Sequence, residues 1–320
     1  MNKEIGGYFE LETFPGEQYH KNAIALNCGR GCIKYLTELR EIKKVWIPDF
    51  MCDSVPNAFR SMGVEVKTYR INEKFLPEYG FGLRDGEWLF LADYYGQLEK
   101  EDIEFAKEYS KGNLIVDETQ GFFNEPCEGV DTFYSCRKWF GVANGAFLVT
   151  GDGKRLERTL DRDESHNRML HVLGRYERPA SEFYEDAAAN NDFFEDEPAK
   201  GMSLITENLL RAIDYENVID IRRKNWNILS EKLADINQLK LKNPHVPFMY
   251  PLLVNGADDI RKQLIKEKIY VPVLWPNVIE YMTWDSVAHK FAETILPLPV
   301  DQRYSPDDME YMAEELIEIL

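Results

Sequence analysis

Short apolar runs alternate with helical patterns along the first half of the chain. Residues 33–39 place Ile33, Leu36 and Leu39 on one stripe, which predicts a helix, and a second helix is expected from about Asp53. The apolar runs between these patterns predict short strands at 23–26, 45–47, 64–69, 88–92, 114–116 and around Phe133. Repeated strand–helix units at this spacing predict an α/β fold with a mostly parallel sheet.

The second half of the chain predicts a smaller α+β region. A long helix is expected over 215–233, and a last helix begins at Ser305, whose side chain can cap it ahead of two acids. We therefore expect a large domain at 1–205 and a small C-terminal domain at 206–320. The stretch at 182–197 is acidic and lacks a periodic pattern, so we expect it to be an exposed, irregular connection.

Charge and hydropathy limit the partners of this chain. Its 320 residues carry a formal net charge of −18 with a pI near 4.8, which argues against nucleic acid or an anionic membrane as the main partner. A local basic pocket for a phosphorylated ligand is compatible with that charge. No stretch approaches the ~18–20 uninterrupted apolar residues of a membrane span, and residues 1–8 lack the apolar core of a signal peptide. We therefore expect a cytoplasmic protein.

Cysteine and histidine spacing does not indicate a metal site. The five cysteines are an odd count without the paired spacing of a zinc site, and the five histidines are scattered with no HExxH pair. Buried reduced thiols are therefore favoured over redox or metal roles. A dinucleotide-binding oxidoreductase is also disfavoured, because no GxGxxG pattern follows the first predicted strand with an acid about twenty residues later.

Two polar residues near the predicted strand ends are the candidates for catalysis. Asp117 ends the apolar run at 114–116, and Lys138 precedes a turn that contains Gly141 and Gly145. Ligands of parallel sheets bind at the carboxyl ends of the strands, so both groups are expected at one site. Pyridoxal phosphate chemistry needs such an amine, to form an imine with the aldehyde, and such an acid, to keep the pyridine nitrogen protonated. A helix-capping aspartate and a surface lysine are the plainer interpretations.

Several segments of the chain match one enzyme family. Residues 138–146 align without gaps on a pattern of Lys followed by x-L-G-x-G-x-G-G, residues 117–120 on D-A-A-Q, and residues 27–32 on S-S-G-T-A-A. With matches that extend from 5–10 to 298–304, nearly the whole chain resembles the DegT/DnrJ/StrS group of pyridoxal-phosphate aminotransferases. The resemblance implies fold type I, the aspartate aminotransferase-like fold, and a homodimer whose site is shared between subunits.

The resemblance implies a role for each matched residue. Lys138 and Asp117 would be catalytic, with Lys138 joined to the cofactor aldehyde and Asp117 paired with the ring nitrogen. Gln120 would approach the ring hydroxyl. Backbone N–H groups at the start of the first helix would seat the phosphate, and Arg30 would either add its charge or point to solvent. The residues of this seat are Gly29, Arg30 and Gly31.

Departures from the family pattern mark a divergent branch whose lysine loop reads S-x-R-K. Many relatives have an aromatic ring that stacks on the cofactor, at a position where this chain has no aromatic residue. Cys52 would then face the ring, or else Tyr94 or Tyr95 would supply the stacking.

Two further departures concern the phosphate and the substrate. Phe133 stands where relatives have a hydroxyl five residues before the lysine, so Ser135 or Arg137 is expected to contact the phosphate instead. From the small domain, Trp275 and Arg303 would face the site. Arg303 could bind a carboxylate or phosphate of the substrate, although a structural salt bridge explains it equally well.

The resemblance implies an aminotransferase that moves an amino group from an amino acid, expected to be glutamate, to a keto sugar that is expected to be nucleotide-linked. A sugar dehydratase of the same family is one alternative, but those enzymes have a histidine at the lysine position, which Lys138 argues against. A protein that keeps the fold for binding or scaffolding without turnover is the other. The altered stacking and phosphate positions favour that alternative, and the intact Lys138 and Asp117 weigh against it.

Overall fold

The computed structural model describes residues 5–320. Residues 1–4 lie outside the described residues. They belong to the predicted large domain and to the stretch 1–8, which lacks the apolar core of a signal peptide. Within residues 5–320 the strands are β1 (Ile24–Leu26), β2 (Lys44–Pro48), β3 (Glu65–Tyr69), β4 (Trp88–Ala92), β5 (Leu114–Asp117), β6 (Asp131–Ser135), β7 (Ala146–Val149), β8 (Met249–Leu253) and β9 (Ile295–Pro299).

The helices of the same part of the chain are α1 (Gly29–Leu39), α2 (Ser54–Ser61), α3 (Lys100–Tyr109), α4 (Leu170–Glu177), α5 (Tyr184–Asp192), α6 (Leu204–Leu210), α7 (Tyr215–Leu233), α8 (Ala257–Lys266), α9 (Pro276–Tyr281), α10 (Val287–Thr294) and α11 (Pro306–Ile319). Short 3₁₀ helices cover Cys136–Lys138, His166–Arg168 and Ala180–Phe183. Among these described helices, none is both long enough and apolar enough to cross a membrane.

The first seven strands form one sheet in the order β1-β7-β6-β5-β4-β2-β3. Neighbours from β3 to β6 pair in parallel, whereas β7 pairs antiparallel with both β6 and β1. β7 follows β6 after residues 136–145, and this turn is too short for the crossover that a parallel neighbour needs. The predicted α/β fold with a mostly parallel sheet is confirmed, with one reversed strand that the hydrophobic pattern did not predict.

β5 and β6 lie in the middle of the sheet and are buried along their whole length. Near-continuous burial of this kind is typical of strands that are covered on both faces. Ala92, at the end of β4, pairs with Asp117, and Asp117 pairs with Phe133 of β6. The carboxyl ends of these three strands therefore lie side by side, and the polar residues that follow them meet at one edge.

The strands β8 and β9 form a separate antiparallel pair. Together with α7, α8 and α11 they enclose a second apolar core that includes Trp226 and Leu252. Phe291 of α10 belongs instead to the core of the large sheet, where its ring centroid lies 4.8 Å from that of Phe75. The C-terminal part thus has a core of its own and one helix that packs on the large sheet, and a domain boundary at 205/206 stays a prediction.

The acidic stretch at 182–197 is largely helical, so the expectation of an irregular connection is wrong, whereas most of its residues are exposed as expected. It contains the whole of α5, in which Asn190 is buried. Three consecutive alanines at 187–189 favour a helix. They place no apolar stripe along it, so the periodicity that marks an amphipathic helix is missing from the sequence.

Candidate active site

A cavity of about 390 Å³ opens at the carboxyl ends of β4, β5 and β6, next to the start of α1. It brings together eight of the eleven predicted site residues: Gly29, Arg30, Cys52, Asp117, Gln120, Ser135, Lys138 and Trp275. The other three predicted residues, Gly31, Tyr95 and Arg303, do not line it. One cavity therefore holds both predicted catalytic groups, and three individual assignments need correction.

Lys138 enters the cavity from the turn between β6 and β7. Gly145 closes this turn with φ near +116°, a conformation that a residue with a side chain rarely adopts. The Gly145 carbonyl accepts a hydrogen bond from Cys136 N at 3.0 Å. Lys138 is an exposed residue that lines the cavity, yet the protein around its amine partly desolvates it. This desolvation lowers the pKa of the amine, and the charges of Arg137 and Arg30 lower it further.

Asp117 ends β5 opposite this amine and is only 8% exposed. Its Oδ1 accepts a hydrogen bond from Thr119 N at 2.9 Å. Burial raises the pKa of Asp117 to about 6, although its hydrogen bonds from Thr119 and the charge of Lys138 act in the opposite direction. A buried carboxyl of this kind is stabilised in its charged form by a cation placed beside it.

The loop after β4 places Tyr94, and not Tyr95, at the cavity wall. The Tyr94 hydroxyl donates a hydrogen bond to the Phe50 carbonyl. Tyr95 adopts φ near +58°, which turns its side chain into the interior, where its ring centroid lies 5.7 Å from that of Phe75. Its backbone N–H donates to Gln120 Oε1 at 2.8 Å, so Tyr95 fixes Gln120 at the wall without lining the cavity itself.

The start of α1 faces the cavity. Cys28 caps the helix, with its Sγ accepting from Gly31 N at 3.3 Å, and the N–H groups of the first turn lack partners within the helix. Gly29 and Arg30 line the cavity. Gly31 is packed behind them, where a Cβ would overlap Asn27 Oδ1, so the absence of a side chain at Gly31 serves close packing, and Gly31 does not line the cavity.

Two arginines lie at this same end of the cavity, and we call Arg30 and Arg137 the arginine pair. Asn191 of α5 bridges them: its Oδ1 accepts from Arg30 Nη2 at 3.2 Å and from Arg137 Nη2 at 3.4 Å. No carboxylate among the described residues forms an ion pair with either guanidinium. Burial lowers the pKa of Arg137 to about 10, and the charges of Arg30 and Arg168 add to this.

The wall opposite the strand ends is mostly apolar. Phe248, Leu274 and Trp275 form part of it, and Cys52 lies there with its Sγ 2.9 Å from Ser54 Oγ. Arg303, which was predicted to face the substrate, lies outside the cavity. Its Nε and Nη2 donate to the carboxylate of Asp301 at 2.6 and 2.7 Å, so the alternative of a structural salt bridge describes it.

Behind Asp117 lies a buried acid pair, Asp93 and Glu118. Asn124 Nδ2 donates to Asp93 Oδ2 and to Glu118 Oε2, at 3.1 Å each. Burial and the neighbouring acid raise the pKa of Glu118 well above its ordinary range, and burial raises that of Asp93 to about 6. Glu118 points away from the cavity that Asp117 lines, as its place next to Asp117 in the chain predicted, and borders a separate cleft of about 860 Å³.

No protein-family model and no curated protein matches the chain. Solved structures do match it. A DegT DnrJ EryC1 StrS aminotransferase from Brucella abortus is 14% identical, with 93% of this chain and 85% of that chain covered and a TM-score of 0.63. At identities this low the likeness establishes the architecture alone. The chain has the fold of this aminotransferase.

Two further solved structures that match the chain were obtained with a cofactor or a sugar product. NtdA from Bacillus subtilis, with bound cofactor PMP, is 14% identical over 93% of this chain and 73% of that chain, with a TM-score of 0.63. DesI, in the presence of its TDP-sugar product, is 16% identical over 92% of this chain and 79% of that chain, with a TM-score of 0.64. The predicted fold type I architecture is therefore confirmed across nearly the whole chain.

The acidic stretch at 182–197 was considered without assigning a role to its Asn191, and the acid pair was not predicted. Asn191 carries no local signal, because its partners are about 161 and 54 residues away along the chain. Glu118 does carry one: a charged residue directly after a strand-end acid, where the family pattern has alanine, suggests an acid that must be buried or partnered.

Proposed function

We propose that this chain is a pyridoxal-phosphate-dependent aminotransferase that moves an amino group from an amino acid, glutamate in the first instance, to a nucleotide-linked keto sugar. The observation that carries the proposal is the meeting of Lys138 and Asp117 in one cavity of a fold shared with aminotransferases. The structures of NtdA with bound PMP and of DesI in the presence of its TDP-sugar product support pyridoxal phosphate as the cofactor and a nucleotide-linked sugar as the acceptor.

The residues of the cavity fit pyridoxal phosphate. The arginine pair and the free N–H groups at the start of α1 would hold the phosphate dianion, which would also neutralise guanidinium charges that have no acid partner. Asp117 would hold the ring nitrogen, and Gln120 would lie near the ring hydroxyl. When bound, the cofactor supplies an aldehyde that reacts with amines and a ring that withdraws electrons from the substrate carbon.

Lys138 is placed to move the proton on which the reaction depends. Its lowered pKa increases the fraction of neutral amine near pH 7, and a neutral amine can take a proton from the α-carbon of the amino donor. After the exchange, the protonated amine can return a proton to the carbon of the acceptor. The apolar wall of Phe248, Leu274 and Trp275 would keep water away from this transfer.

Asp117 acts through charge. Its burial makes the isolated carboxylate unfavourable, so a protonated ring nitrogen placed beside it would restore the charged form and would itself be stabilised. Among the described residues, the arginines that line the cavity are Arg30 and Arg137 at its cationic end, so the carboxylate of the donor would have to bind there.

We further propose a cytoplasmic homodimer, with a large domain at 1–205 and a small domain at 206–320. Support for a subunit contact comes from α4, where Leu170, Leu173 and Tyr176 are exposed. The net charge of −18 supports small molecules, and not nucleic acid or an anionic membrane, as the other partners.

The test is a visible absorption spectrum of the purified protein with pyridoxal phosphate, followed by borohydride reduction and peptide mapping. We expect a yellow protein that carries the reduced pyridoxyl group on Lys138, and no label in Lys138→Arg. With glutamate alone, we expect one equivalent of keto acid per site before any sugar is added. A protein that stays colourless and unlabelled would exclude the enzyme and favour the scaffold alternative. Label without amino transfer would favour other chemistry on the same cofactor.

A further inference from the structure

We propose that Arg222 is a positioning residue for Lys138, because its buried guanidinium holds Trp139, the next residue along the chain, against the rest of the site. Arg222 belongs to α7, is 1% exposed and does not line the cavity, so it acts on a ligand there only through other residues. The proposal rests on the role proposed above for Lys138.

One guanidinium holds both the side chain and the backbone of Trp139. The guanidinium carbon of Arg222 lies 4.1 Å from the centroid of the Trp139 ring, a cation–π contact. Arg222 Nε donates to Gln302 Oε1 at 2.9 Å, and Gln302 Nε2 donates in turn to the Trp139 carbonyl at 2.7 Å. The orientation of the Trp139 ring therefore depends on Arg222 directly, and that of the Trp139–Phe140 peptide depends on it through Gln302.

Arg222 also fixes the apolar wall beside this tryptophan. Its Nη1 donates to the carbonyls of Pro247 and Phe248 at 3.0 and 3.2 Å. The Phe248 ring lines the cavity, and its centroid lies 5.5 Å from that of Trp139. The same guanidinium thus sets the distance between the lysine turn and the cavity wall that faces it.

Trp139 is also linked by hydrogen bonds to Asp117, the second predicted catalytic group. Its indole Nε1 donates to the Thr119 carbonyl at 2.9 Å, and Thr119 N donates to Asp117 Oδ1 at 2.9 Å. Lys138 is joined to Trp139 by the peptide bond, and Asp117 is joined to it through Thr119. Movement of this one tryptophan would change the position of the amine relative to the carboxyl.

Burial of the Arg222 guanidinium is energetically unfavourable, because the charge loses its hydration. Among the described residues Arg222 forms no ion pair, since the nearby Asp301 binds Arg303, and burial lowers the pKa of Arg222 to about 9. An apolar side chain of similar size would avoid the desolvation of a buried charge. An apolar residue could not donate the hydrogen bonds that Arg222 makes. We therefore attribute to Arg222 the role of fixing the positions of the groups that it binds.

The experiment measures the pKa of Lys138 in the cofactor-free protein, from the pH dependence of its labelling by an amine-specific reagent and peptide mapping. The variants are Arg222→Met, Gln302→Leu and, as a matched control, Arg223→Met. Arg223 is the next residue of α7, is exposed and binds the His245 carbonyl at 2.9 Å. Folding of each variant is checked by circular dichroism.

We expect Arg222→Met and Gln302→Leu to raise the pKa of Lys138 towards that of an ordinary lysine, because a loosened turn lets more water reach the amine. Arg223→Met should leave it unchanged. Arg222→Lys, which keeps the charge but loses the fork of donors, should behave as Arg222→Met does.

An unchanged pKa in folded Arg222→Met and Gln302→Leu would overturn the proposal, and so would full rescue by Arg222→Lys, since charge alone would then suffice. If Arg222→Met does not fold, the half-buried Gln302 provides the deciding variant. Failure of the wild-type protein to take up pyridoxal phosphate would refute the proposed function instead. The comparison of the Lys138 pKa among the variants would still test the role of Arg222 in that case, because the labelling uses no cofactor.

Discussion

The cationic end of the cavity and the acids behind Asp117 share one arrangement with opposite charge. In each, two like charges are bonded to a single asparagine: Asn191 accepts from the arginine pair, and Asn124 donates to the acid pair. The acid pair is almost fully buried, with Asp93 at the wall of the cavity and Glu118 at the separate cleft, whereas Arg30 and Arg137 are half-buried in the cavity. The same geometry thus occurs once with little access to solvent and once where a ligand can reach both charges.

The two pairs relieve their repulsion differently, and the reason lies in their pKa values. Because the pKa of Glu118 is raised well above its ordinary range, the acid pair can hold one shared proton at neutral pH. An arginine keeps its proton at neutral pH, even where burial lowers the pKa to about 10 as in Arg137. The arginine pair therefore attracts an anion from outside, and the acid pair is a structural element.

Arg137→Met tests the cationic side and has the largest expected effect. Loss of a charge-assisted contact to phosphate should weaken the binding of pyridoxal phosphate by about 100-fold, or about 2.7 kcal/mol. Pyridoxal, which lacks the phosphate, should bind within about 2-fold of the wild-type affinity. Equilibrium titrations with both ligands measure this, with Arg175→Met, an exposed arginine of α4, as the control. Equal losses for both ligands would contradict the phosphate assignment.

The two bridging asparagines should separate stability from binding. Asn124→Ala removes the donor shared by two buried carboxyls and should lower the free energy of unfolding by about 2 kcal/mol. Asn191→Ala, at an exposed position, should change it by about 0.5 kcal/mol or less but weaken pyridoxal phosphate binding several-fold. Urea unfolding at pH 7 measures both variants. Similar losses of stability would show that the two bridges serve the same purpose.

Glu118→Gln should flatten the dependence of stability on pH. Because the folded state raises the pKa of Glu118 and of Asp93, it holds protons that the unfolded chain releases above about pH 4. The wild-type protein should therefore lose stability as the pH rises from about 5 to 8, and the variant should lose about 1 kcal/mol less over that range. Urea unfolding at several pH values gives the two curves, and parallel curves would show that Glu118 does not carry the extra proton.

Arg30→Thr should have the smallest effect of the four. Arg30 and Arg137 are both half-buried, but burial desolvates the Arg137 guanidinium and lowers its pKa to about 10, so the loss of Arg30 should weaken pyridoxal phosphate binding by only about 3-fold. Salt should reduce this difference further, since the charge is screened. Titrations at low and high salt are the measurement. A loss as large as that of Arg137→Met would mean that the two guanidiniums bind the phosphate as a unit.

Local patterns in the sequence predict the parts of this protein that adjacent residues encode. Apolar runs predicted six of the seven strands of the large sheet, all but β7, to within a residue or two, and the pattern at 215–233 matches α7. Asp117 and Lys138 were found because the first ends a buried strand and the second lies in the turn after another, and parallel strands end at a common edge. Such features depend on local periodicity and on a glycine that the turn at 145 requires.

Contacts between groups that are far apart along the chain depend on how the chain folds in space. The choice of Tyr94 over Tyr95 depends on one backbone angle after β4, and the pairing of Arg303 depends on an acid two residues before it that the fold buries. Asn191 and Arg222 reach the site from helices remote in sequence. Hydrogen bonds and desolvation depend on distances in space, and no local pattern of hydrophobic and polar residues records them.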